Sequence, residues 1–75
     1  MSASTKTNPR EVDARDATII KDFAGDELWL YERGNLLGVG CIPKNDKAHG
    51  FAVLLDGKRV DELIFSLSVL RRGMQ

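Results

Sequence analysis

The chain has one cysteine, Cys41, one histidine, His49, two prolines, one tryptophan and one tyrosine. A single cysteine excludes an intrachain disulfide, so the expectation is a cytoplasmic protein with a reduced, buried thiol. One cysteine and one histidine cannot furnish a structural zinc site, which draws on several such ligands, and no metal or cofactor is expected. Excess charge is also missing. Eleven basic and eleven acidic side chains cancel, leaving no overall field to gather nucleic acid or an anionic membrane. The longest apolar run, Leu63 to Leu70, is broken by Ser66 and Ser68 and is too short to span a bilayer. The segment Met1 to Pro9 has no apolar centre, so no secretory signal is expected there.

What is present suits a small folded domain. The 43% hydrophobic content is too high for a disordered chain, and 29% charged residues is ordinary. With 75 residues the chain can build one core of marginal stability, which a second copy would reinforce.

Residues 1–15 are expected to form a flexible polar tail, with Val12 the one aliphatic side chain beyond alanine and methionine, and residues 16–75 a single domain. Four apolar runs read as strands: Ala17 to Phe23, Leu28 to Tyr31, Leu36 to Ile42 and Gly50 to Leu55. Turn formers separate them at Ala24-Gly25-Asp26, at 32–35 and in the polar loop 43–49. After Gly57, the positions Val60, Leu63, Ile64, Leu67 and Leu70 recur at helical spacing; Asp61 and Glu62 lie near the start, Arg71 and Arg72 near the end, and Gly73 supplies a stop. The fold class predicted is therefore α+β: a four-stranded antiparallel meander followed by an amphipathic helix packed on one face. Phe65-Ser66-Leu67-Ser68-Val69 also alternates with period two, and a strand over 61–71 would instead make a small all-β barrel or sandwich.

Pairing parity divides the sheet into two faces. An even-length loop, either Arg33-Gly34 or all of 32–35, sets Tyr31 opposite Leu36 and Trp29 opposite Gly38, while the odd loop 43–49 pairs Cys41 with Phe51, Val39 with Val53 and Leu37 with Leu55. One face then carries Leu28, Leu30, Leu37, Val39, Cys41, Phe51, Val53 and Leu55, with Ile19 and Phe23 added by a two-residue first turn, and is the expected core beneath the helix. The opposite face carries Ile20, Trp29, Tyr31, Leu36, Gly38, Gly40, Ile42, Ala52 and Leu54. It is short of charge, so it is the expected partner or dimer face.

No catalytic constellation emerges. Cys41 and His49 fall on the core face and in a loop; Gly34, Gly38 and Gly40 have neither of the phosphate-loop spacings; the carboxylates sit at turns and helix starts. The function predicted is a non-catalytic binding or regulatory protein of the inhibitor, antitoxin or mobile-element accessory type. Its partners would be a second copy of itself and another protein, with no membrane. The alternative is a single-stranded DNA or RNA binder that stacks bases on Trp29 and Tyr31 beside Arg33, Lys58, Arg59, Arg71 and Arg72. The strand order followed by a helix resembles Whirly-like single-strand binders in layout, with no motif in common.

Overall fold

The computed structural model describes residues 6–7, 12–46 and 49–74. Five strands, β1 (Lys6–Thr7), β2 (Ala17–Lys21), β3 (Glu27–Arg33), β4 (Leu36–Ile42) and β5 (Phe51–Leu55), are followed by the helix α1 (Gly57–Arg72). A short 3-10 turn, Ala14–Asp16, precedes β2. The sheet is antiparallel throughout, in the order β1-β5-β4-β3-β2, so the four expected strands form the meander and the helix closes the chain.

Residues 21–36 set the register. Arg33 pairs with Leu36, leaving the two-residue turn Gly34-Asn35. Gly34 has φ 64° and Asn35 keeps a negative φ, as in the glycine-first hairpin turn that matches strand twist. The turn is thus Gly34-Asn35 rather than Arg33-Gly34 or the whole of 32–35, which shifts the register by two, so Tyr31 faces Gly38 while Trp29 faces Gly40. A slip of two preserves which face each side chain occupies. The β2–β3 connection, residues 22–26, has odd length instead. The Asp22 carboxylate closes it by accepting from the amides of Ala24 at 2.8 Å and Asp26 at 3.0 Å. The odd loop inverts parity on β2: Ile19 pairs with Trp29, and Ile20 pairs with Leu28 on the other face.

The core lies on the face expected to await a partner. Trp29, Tyr31, Ile42 and Ala52 are buried there, with Val12, Ala17 and Ile19 packed against them. The N-terminal residues help to close it. β1 is at one edge of the sheet and β2 at the other, and between them Val12 rests on the aromatic cluster. Asp13 holds the turn that follows, accepting from the Arg15 amide at 2.9 Å while its carboxylate meets the Arg15 guanidinium at 2.8 Å. The expected tail therefore contains a strand and a core contact; its residues 1–5 and 8–11 lie outside the described residues. Little apolar side chain is needed from the N-terminal segment because the Trp29 and Tyr31 rings fill much of this face themselves, opposite glycines.

The period-two pattern in 61–71 does not prevail, and α1 is helical. Asp56 caps it, its carboxylate accepting from the Arg59 amide at 3.0 Å, and the Ser68 hydroxyl donates to the Ile64 carbonyl at 2.9 Å. The cap places Asp61 and Glu62 beyond the first turn, whereas Arg71 and Arg72 do occupy the last. The seating differs from expectation more than the helix itself does. Val60 and Leu63 are half-buried, but every residue from Ile64 to Met74 is exposed, so α1 meets the sheet only near its start. The Cα radius of gyration is 13.1 Å, against about 11 Å for a compact chain of this length.

Candidate interaction surface

Asp56 is the sole residue between β5 and α1. Strand–helix connections that lay a helix back on its own sheet run about 2–6 residues. With one extended residue, whose side chain is committed to the helix N-terminus, the helix continues away from the sheet.

The face expected to be the core is consequently uncovered. Leu28, Cys41, Phe51 and Val53 are exposed, with Phe51 at 57%, while Leu30, Leu37, Val39 and Leu55 are half-buried. Ile20, at 52%, joins this face rather than the Trp29 face. The helix adds Ile64, Phe65, Leu67, Val69 and Leu70, at 43 to 69%. Two apolar surfaces on one small chain thus lack cover, well beyond the scattered apolar residues any surface carries.

Among the other residues expected to face a partner, Trp29, Tyr31, Gly38, Gly40 and Ile42 are buried, and Leu36 and Leu54 are half-buried at the margins of the core. The Trp29 indole is further held by donating from Nε1 to Glu27 Oε1 at 3.0 Å, and Lys21 Nζ lies 3.9 Å from the same carboxylate. Sequence reasoning found the two faces of β3, β4 and β5 but assigned them to the wrong roles. The missed signal was the length of the joint at Asp56, together with Val12 in an otherwise polar stretch.

Cys41 is exposed, contrary to the buried thiol expected, because its face has no cover. His49 pairs through Nδ1 with Asp46 Oδ1 at 2.6 Å in the exposed β4–β5 loop, and among the described residues no hydrogen bond joins it to Cys41. No group of three or more metal-ligating side chains occurs among the described residues.

The basic residues do not converge. Lys58 and Arg59 begin the helix and Arg71 and Arg72 end it, about 20 Å apart at about 1.5 Å per residue. Arg59 is also engaged by Asp56 at 3.3 Å. Arg33 stands at the end of β3. With Trp29 and Tyr31 buried, the aromatic platform for stacked bases is not presented either. No described helix is long and apolar enough to cross a membrane. Compared with protein families, curated proteins and solved structures, the chain matches none.

Proposed function

We propose that this is a non-catalytic binding protein that acts through protein–protein contacts as a homodimer, of the kind that inhibits or regulates another macromolecule by occupying its surface. One observation carries the reading: the sheet face of Leu28, Val39, Cys41, Phe51 and Val53 and the stripe of α1 are both uncovered in a single chain. Each large apolar side chain brings roughly 60–120 Å² of apolar surface when buried at about 25 cal/mol per Å². At about half exposure these residues offer a few hundred Å², a substantial part of the about 800 Å² per partner that a specific interface covers. A binding role through this surface requires no group with special reactivity.

The test combines light scattering on the purified protein with capture of partners from native lysate by wild type and by Val53→Glu. A mass above that of one chain, and partners lost with the variant, support the reading. A monomer whose captured proteins are the same for both forms removes it.

A further inference from the structure

We infer that the uncovered sheet face of one chain receives helix α1 of a second copy, and that the two chains exchange helices reciprocally; this rests on the protein-contact reading above and specifies how the dimer is built. Three features on the same molecule converge. The joint is Asp56 alone, extended and locked as the helix cap, so a chain cannot lay its own helix on its own sheet without remaking that joint. Short, constrained hinges of this type are where proteins trade an element between copies.

The lengths also agree. The 16 residues of α1 span about 24 Å at about 1.5 Å per residue, and the seven residues of β3 or β4 span about 23 Å at about 3.3 Å per residue. One helix can thus cover the length of the face.

Charge supplies the third feature. At the end of the face away from the helix joint is an open hollow of about 220 Å³ lined by Ile20, Leu28 and Cys41, with Asp22 and Asp26 at its rim; Glu27 also borders it, but its carboxylate is turned to the Trp29 indole and Lys21 on the other face. The last turn of α1 carries Leu70 and then Arg71 and Arg72, apolar and cationic where the hollow is apolar and anionic. A partner helix running along the face toward that end brings Leu70 to the hollow and the two arginines to its acidic rim. A closed two-fold exchange also buries both surfaces on both chains, which leaves no unsatisfied copy to propagate into a filament.

The native cysteine makes the exchange testable. Leu67→Cys places a second thiol on an exposed helix position while Cys41 stays on the sheet face. Mild oxidation of dilute protein is expected to give a covalent species of twice 8.3 kDa on a non-reducing gel. Wild-type Cys41 is expected to label slowly with a thiol reagent, and Leu67→Glu to restore fast labelling and lose the dimer mass. Light scattering before oxidation separates the two levels of the argument. A mass of one chain overturns both the dimer and the exchange. A dimer in which Cys41 labels fast and no interchain disulfide forms overturns the exchange alone. A disulfide within one chain, at the mass of one chain, shows closure of the helix on its own sheet and likewise overturns it.

Discussion

The ring of Tyr31 lies directly on Gly38 of the neighbouring strand, so close that a Cβ added there would come within 3.0 Å of three ring atoms. The glycine is kept for space rather than for an unusual backbone angle: its φ is not positive, and it sits in the middle of β4. An aromatic over a strand glycine fills the missing side-chain volume and pins register. Tyr31 is 3% exposed as a result.

Gly38→Ala should therefore be costly although it would favour a strand elsewhere. Overpacking of a filled core costs about 1–3 kcal/mol, a large share of the roughly 4–11 kcal/mol that about 0.05–0.15 kcal/mol per residue allows this chain. Chemical denaturation should show the midpoint falling, and Tyr31→Ala added to Gly38→Ala should cost less than the two changes summed. Strict additivity would mean that the ring is not what excludes the Cβ.

Trp29→Glu and Val53→Glu should behave oppositely, because Trp29 is 7% exposed and Val53 37%. A buried carboxylate in place of the indole forfeits about 3–5 kcal/mol of packing before the charge is counted, so Trp29→Glu should unfold the chain rather than merely free a surface. Val53→Glu should keep the far-UV spectrum and lose association. Circular dichroism with light scattering on both variants checks this, and a folded Trp29→Glu protein would contradict the face assignment.

The pairing of these faces was legible in the sequence to the extent that parity governs it. The alternation of Leu28 to Tyr31 and Leu36 to Ile42 sorts the same residues onto each side as the observed register, because a two-residue slip leaves parity intact. The β4–β5 register was legible residue for residue, Cys41 with Phe51 and Val39 with Val53. Ile20 was not, since a five-residue loop closed by Asp22 looks no different in sequence from a shorter turn. Which face became the core was not legible either. It depends on a single valine packing against the Trp29 cluster and on a one-residue hinge, and neither leaves a periodic signal.

The seat of Val12 should weaken in acid. Arg15, through its side-chain hydrogen bond and then its amide, holds the Asp13 carboxyl below the ordinary 3.8. A carboxyl lowered in the folded state contributes stability that is in place above its unfolded value and disappears as pH falls through the folded one. The stability difference between wild type and Asp13→Asn should accordingly shrink below about pH 4. Since the pair is exposed, it should also shrink with added salt. Denaturant titrations followed by Trp29 fluorescence at several pH values measure it, and a pH-independent difference would count against the ion pair.

The helix should be the least protected part of the chain whenever it lacks a partner. With Ile64 to Met74 exposed, α1 draws little from burial and depends on its own propensity and its caps. Isolated helices shorter than about 12–15 residues are marginal in water, and α1, with 16, lies only just beyond that limit. Asp56→Ala removes the carboxylate that accepts from the Arg59 amide, at a cost of about 0.5–2 kcal/mol, so it should reduce helical content in dilute protein while leaving the strands protected. Amide hydrogen exchange resolves the two. At low concentration the amides of 61–72 should exchange fast and those of β3 and β4 slowly; raising the concentration should protect the helix as it finds its cover, and the Asp56→Ala variant should need more protein to reach the same protection. Exchange of the helix that is slow and independent of concentration would mean that its stability arises within one chain.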